Sequence, residues 1–285
     1  MAGIRRVGVV GAGVMGSGIA ETCARAGLPV LVREVDALAV EVGRARIETS
    51  LRRGVRAEKL SAEAANAALD RIDFTTELAD FADADVVIEA IVEHEQAKTE
   101  LFAELDKVLG DSDAVLASNT SSIPIATLAM ATSRPQRVIG LHFFNPVPVL
   151  PLVEVIPSVL TWETTQDRIR EFATGTLGKT VIQANDRAGF VVNALLIPYL
   201  LAAVRMYESG FATAQDIDHA MVLGCAHPMG PLALVDLIGL DTVTAVANSM
   251  YHEFKEPLYA PPPLLLRMTG AGWLGRKTGR GFHRY

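Results

Sequence analysis

RVGVVGAGVMGSGIAETCAR, residues 6–25, decides the fold. Its opening, Arg6-Val7-Gly8-Val9-Val10, is a short apolar run of the kind that fills a buried strand. Gly11-Ala12-Gly13-Val14-Met15-Gly16 follows at once, and Val14–Arg25 then reads as a helix closed by Gly27. In that setting each glycine has its own task. Gly11 permits the tight turn, Gly13 lets backbone amides approach a pyrophosphate, and Gly16 lets the helix pack close to the sheet. Val14 and Met15 lie in the same turn, at the positive end of the helix that faces the phosphates.

A second strand, 29–32, runs into Arg33-Glu34, just over twenty residues beyond Gly11, where a carboxylate meets the adenosine ribose hydroxyls. Glu34 favours NAD, because a carboxylate repels the extra phosphate of NADP. Arg33 beside it would attract that phosphate, so NADP stays open. The competing reading is a tight turn without a ligand, or a nucleotide that serves structure only. Strand, loop, helix, strand and carboxylate in register weigh against it.

Outward from this unit, 36–53 and 57–69 read as helices, an excursion longer than a minimal crossover. Strand-like runs resume at 84–90, 114–117, 137–143, 153–156 and 179–183, with a helix at 96–109. Short apolar strands separated by helices predict an α/β fold with a mostly parallel, doubly wound sheet. After Asn185-Asp186-Arg187-Ala188-Gly189 the pattern changes, and helical segments dominate at 190–209, 213–223, 231–254 and 262–269. The expected organisation is a Rossmann-like NAD(P)-binding domain over 1–185 and an all-helical domain over 186–285. The second carries no further nucleotide fingerprint, so its expected work is to close the substrate cleft and form a dimer interface.

Half of the 285 residues are hydrophobic, and 33 acidic against 26 basic residues leave a net charge of -7. An acidic chain of this kind argues against broad nucleic-acid binding. Cys23 and Cys225 lie far apart with neither CxxC nor metal-ligand spacing, which predicts buried, reduced thiols and no metal site. The N-terminal apolar run leads into a glycine loop rather than a cleavage site. The longest oily stretch, 191–207, is interrupted by Asn193, Pro198 and Arg205 and reads as a buried helix rather than a membrane span. A cytoplasmic location is the expectation.

Oxidising an alcohol on a nicotinamide needs a group that manages the hydroxyl proton, and histidine titrates near neutrality. His142 ends a predicted strand in Gly140-Leu141-His142-Phe143-Phe144-Asn145-Pro146, where parallel strands face the ligand crevice. Glu154, on the neighbouring strand-like segment, can accept a hydrogen bond from one imidazole nitrogen and leave the other to exchange the proton. An ordinary hydrogen-bonded histidine and a surface carboxylate are the alternatives. Asn119-Thr120-Ser121-Ser122 follows another strand. Ser121 can bond the reacting oxygen, or the patch can simply cap a turn near Pro124. Asn193, inside an oily helix, can bond a substrate oxygen or satisfy a buried contact. Arg52, Arg53 and Arg56 make a basic landing area, or else a solvated helix face.

At these residues the chain resembles the short-chain L-3-hydroxyacyl-CoA dehydrogenases, particularly their 3-hydroxybutyryl-CoA branch. GAGVMGSGIA (11–20), VVIEAIVE (86–93), ASNTSS (117–122), HFFNPVPVLPLVEV (142–155), GFVVN (189–193), HPMGP (227–231) and GWLGRKTGRGF (272–282) carry the likeness over nearly the whole chain. The resemblance implies His142 as general base, Glu154 as its orienting partner, and Ser121 and Asn193 as positioners of substrate oxygen and histidine. It implies Glu34, Glu93, Lys98 and Asn119 on the nucleotide side, a homodimer, and reversible NAD(P)-linked interconversion of an (S)-3-hydroxyacyl thioester and its 3-ketoacyl form. Pro151, Ala194 and Ala188 stand where such sequences usually carry Lys, Arg and Pro, and Gly224-Cys225-Ala226 also departs. These departures keep two alternatives open: a biosynthetic relative acting on a hydroxyacyl group held by an acyl carrier protein, and a nonenzymatic NAD-binding structural protein.

Overall fold

Eight short strands form one sheet among the described residues, 3–285, of this computed structural model. They are β1 (Val7–Val10), β2 (Val30–Arg33), β3 (Ile72–Thr75), β4 (Val86–Glu89), β5 (Val115–Ser118), β6 (Val138–Phe143), β7 (Leu152–Ile156) and β8 (Thr180–Gln183). Their spatial order is β3-β2-β1-β4-β5-β6-β7-β8. Every pairing from β3 across to β6 is parallel. β7 then reverses against β6, and β8 runs parallel to β7. The central strands β1, β4, β5 and β6 are buried at every residue, which is why they read as unbroken apolar runs rather than alternating ones.

Six helices accompany this sheet: α1 (Val14–Arg25), α2 (Ala37–Arg56), α3 (Ala62–Leu69), α4 (Glu95–Leu109), α5 (Ile125–Met130) and α6 (Glu163–Glu171). Three start at side-chain caps: Asp36 accepts from the Ala39 amide at 2.8 Å, Ser61 from the Ala64 amide at 3.1 Å, and His94 Nδ1 from the Ala97 amide at 3.3 Å. Contacts divide the chain into a unit Met1–Asp186, which holds the sheet, and a unit Arg187–Tyr285. The second is all-helical: α7 (Val192–Glu208), α8 (Ala214–Cys225), α9 (Pro231–Ile238), α10 (Leu240–Phe254) and α11 (Pro263–Gly270). Its core gathers Leu200, Leu201, Leu232, Val235, Leu240, Val243 and Leu265, all fully enclosed. No single helix among the described residues is long and apolar enough to cross a membrane; the bent pair α9–α10 passes that test only by joint length and composition.

Four expectations need correction. β3 was not anticipated; it is a four-residue edge strand whose Asp73 is exposed, too short and polar to stand out. α5 was missed for the same reason of length. The helix expected over 231–254 is two, α9 and α10, bent by 96°. The break is Gly239, whose φ of +105° is closed to a helix. Cys225 is exposed rather than buried, because it lies at the C-terminal end of α8; Cys23 is buried in α1, and burial pushes its thiol up to about 12.

Candidate active site

The glycine loop lies where β1 gives way to α1. Gly11 has φ +94°, and a Cβ there would stand 2.7 Å from the Ala90 carbonyl oxygen. A Cβ on Gly16 would collide with the Gly11 carbonyl, so the helix can begin this close to the strand only as glycine. The intervening Ala12 peptide is gripped from both sides. Its amide donates to Glu34 Oε1 at 2.5 Å, and its carbonyl accepts from Ser17 Oγ at 2.7 Å and Arg46 Nη1 at 2.6 Å.

The loop fits a dinucleotide. A Cβ on Gly13 would meet no atom within 4 Å, so open space lies beside the first turn of α1. The amides of that turn have no intrahelical acceptor and are suited to an anion. Glu34 supplies acceptor oxygens beside the loop for a ribose diol. Arg33 is turned elsewhere: its Nε donates to the Thr76 carbonyl at 3.1 Å.

Along the same C-terminal edge of the sheet, Glu89 ends β4 fully buried. Its Oε1 accepts from Lys98 Nζ at 2.7 Å and from the Ile91 amide at 2.7 Å, while Oε2 accepts from Ser118 Oγ at 2.6 Å. Lys98, itself buried on α4, also reaches Glu93 Oε2 at 3.0 Å. Glu93 in turn organises the loop after β5. Its Oε1 accepts from Thr120 Oγ1 at 2.5 Å, Ser121 N at 2.9 Å and Oγ at 3.3 Å, and Ser122 N at 3.1 Å and Oγ at 2.9 Å. Burial pushes the Glu93 carboxyl up, but the Lys98 ammonium with the Thr120 and Ser121 donors more than offsets this and holds it below its ordinary value. Asn119 ties this loop to the next strand, its Oδ1 accepting the Phe143 amide at 2.9 Å.

His142 and Glu154 are register partners across β6 and β7. Nδ1 lies 2.7 Å from Oε2, and Glu154 is fully buried, which removes the surface-carboxylate reading. The His142 ring packs edge-on to Phe144, centroids 4.6 Å apart. An imidazole held through Nδ1 by a buried carboxylate is directed in orientation and stabilised when it takes up a proton.

The structure thus unites Glu93, Lys98 and Ser121 in one network and pairs His142 with Glu154. Asn193 lies in the second unit, half-buried in the first turn of α7 rather than in the helix interior. Arg52, Arg53 and Arg56 are exposed on α2, with Arg52 Nη1 3.7 Å from Glu48. Sequence reasoning missed Glu89, Ser118 and Arg46. Glu89 lies within an otherwise apolar run, VVIEA, and a carboxylate in such a run is the signal that marks it.

The chain matches the model of the 3-hydroxyacyl-CoA dehydrogenase NAD-binding domain over residues 6–187 and that of the 3-hydroxyacyl-CoA dehydrogenase C-terminal domain over 189–285. It belongs to the 3-hydroxyacyl-CoA dehydrogenase family, a class of NAD(P)-dependent oxidoreductases. Among relatives, a 3-hydroxybutyryl-CoA dehydrogenase of Mycobacterium tuberculosis is 60% identical over 282 residues, 99% of each chain. The crystal structure of M. tuberculosis FadB2 superposes with a TM-score of 0.98 at 59% identity and full coverage of both chains. The (S)-3-hydroxybutyryl-CoA dehydrogenase PaaH1 of Ralstonia eutropha gives 0.92 at 45% identity, with 99% of each chain covered.

Proposed function

We propose that the chain interconverts 3-hydroxybutyryl-CoA and acetoacetyl-CoA, with His142 as the acid–base group. The observation that carries this reading is the buried His142–Glu154 pair at 2.7 Å, at the sheet edge that also bears the glycine loop. Two of the relatives named above, the M. tuberculosis protein at 60% identity and PaaH1, are described as 3-hydroxybutyryl-CoA dehydrogenases, which supports the short acyl chain. NAD(P) supplies the hydride acceptor. In oxidation, His142 takes the hydroxyl proton through Nε2 while Glu154 stabilises the imidazolium at Nδ1; in reduction the imidazolium returns it. We assign Ser121 the bonding of the reacting oxygen: its hydroxyl would turn to it from Glu93 Oε1, a long 3.3 Å away. For Asn193 the support is the family pattern alone.

Glu34 beside the loop, with Arg33 committed to Thr76, supports NAD over NADP. Arg52, Arg53 and Arg56 are the basic group we assign to the CoA phosphates. Exposed Leu195, Met206, Phe211 and Leu223 on the second unit support a homodimer through that unit. The test is oxidation of NADH or NADPH with acetoacetyl-CoA, alongside the carrier-protein thioester. Turnover with NADH and the CoA ester is expected; turnover confined to the carrier-bound substrate would favour the biosynthetic alternative. Sedimentation at micromolar concentration is expected to show a dimer.

A further inference from the structure

The loop Phe144-Asn145-Pro146-Val147-Pro148-Val149-Leu150-Pro151 joins β6 to β7 and so sits between His142 and Glu154 in the chain. Three of its residues are proline and lack an amide donor. Its carbonyls therefore need donors from elsewhere wherever they are buried. Lys179, immediately before β8, supplies them. Its Nζ donates to the Val147 carbonyl at 2.6 Å and to the Leu150 carbonyl at 2.7 Å, although the side chain is itself buried. Burial and the nearby Arg25 guanidinium push the ammonium below its ordinary value. An ammonium held in such a place by two loop carbonyls is a costly way to fill space.

The same loop is seated from a second direction. Val147 is buried, and a Cβ on Gly18 of α1 would stand 2.9 Å from its Cβ. The Thr180 amide also donates to the Pro151 carbonyl at 2.8 Å, continuing the clamp into the β7–β8 pairing. In an antiparallel pair the connecting loop fixes the register, and here the register places His142 opposite Glu154.

We infer that Lys179 is a positioning residue: by gripping the Val147 and Leu150 carbonyls it sets the loop that holds His142 and Glu154 in hydrogen-bonding register. The inference rests on the reading of His142 as the acid–base group. Lys179 touches no reacting atom; it acts through the loop.

The test uses the full-length Lys179→Met variant, with Gly18→Ala as an independent push on Val147 from the helix side. Two readouts are taken: steady-state kinetics with acetoacetyl-CoA and NADH, and the imidazole resonances of His142 in ¹⁵N-histidine-labelled protein. The expected result is a kcat loss of roughly tenfold to a hundredfold with the KM for NADH nearly unchanged, as small displacements of reacting groups produce. The His142 resonances are expected to move in both variants. Unmoved resonances in a folded Lys179→Met protein overturn the inference, as does a KM for NADH that rises as much as kcat falls. If Lys179→Met does not fold, unmoved resonances in Gly18→Ala overturn it equally. Failure of the underlying reading shows separately: His142→Asn would then turn over normally while the resonance shifts still report on the clamp.

Discussion

Glu93 and Lys98 lie 3.0 Å apart, and the same Glu93 carboxylate holds the Thr120 hydroxyl and the amides and hydroxyls of Ser121 and Ser122. Lys98 is shared with buried Glu89, so the cofactor-side loop is anchored to the end of β4 by an alternating chain of charges. Removing Lys98 would leave both carboxylates without their counter-charge, whereas removing Glu93 would leave Lys98 paired with Glu89 but release the loop after β5.

The Glu93 carboxyl is held below its ordinary value of 4.5 in the folded protein. A depressed folded-state value contributes stability that is fully present above the unfolded value and is lost as pH falls through the folded one. Urea midpoints should therefore fall on acidification below the ordinary carboxylate range. The Glu93→Gln protein should start from a lower midpoint near neutrality and show a flatter acid limb. Parallel curves for the two proteins would contradict this assignment.

His142→Asn should lower turnover by roughly 10²–10⁴-fold, the usual contribution of a positioned general acid–base group. Binding of NADH, followed by its fluorescence, should be preserved, since the glycine loop and Glu34 are untouched. Near-normal turnover would remove His142 from the chemistry.

Glu34→Ala should weaken NADH more than NADPH. A hydrogen bond to a charged group contributes about 1.5–3 kcal/mol, so KM for NADH should rise roughly tenfold or more while the preference over NADPH narrows. The comparison of kcat/KM for the two cofactors measures it, and an unchanged ratio would relieve Glu34 of this role.

Replacing Arg52, Arg53 and Arg56 together by Gln should raise KM for acetoacetyl-CoA with little change in kcat. Exposed charge pairs contribute about 0.2–1 kcal/mol each, so the rise should fall between a few-fold and about a hundredfold. The salt dependence of KM should flatten in the same variant. A wild-type salt profile would identify the cluster as a solvated face.

In the second unit, Asp236 is buried and accepts from Phe282 N at 2.9 Å, His283 N at 2.8 Å and Tyr285 Oη at 3.1 Å, fastening the C-terminal turn. Asp236→Ala strands these donors and should cost about 2–4 kcal/mol. Urea denaturation followed by tryptophan fluorescence reads the loss, Trp273 lying just before the turn.

The strand–glycine loop–helix unit was legible in the chain because its logic is local: Gly11, Gly13 and Gly16 answer to a turn, an approach and a helix start within six residues. The parallel core strands declared themselves by continuous apolar runs, and the change to helices after residue 186 by a change of period. His142 and Glu154 were recognisable as candidates by residue type and strand position, and the family resemblance supplied the roles of Glu93, Lys98, Asn119 and Asn193. That the two partners meet was not legible. It depends on β7 reversing against β6 with His142 opposite Glu154, a register set by a proline-rich loop and by a lysine near β8. The partners of Glu89 were hidden likewise: a carboxylate in an apolar run marks a buried charge, but Lys98 and Ser118 reach it from other elements. Local sequence determines which backbone conformations and which chemical groups are present. Only tertiary packing decides which buried charges share a partner, because burial makes each unpaired charge costly and leaves few arrangements that satisfy them all.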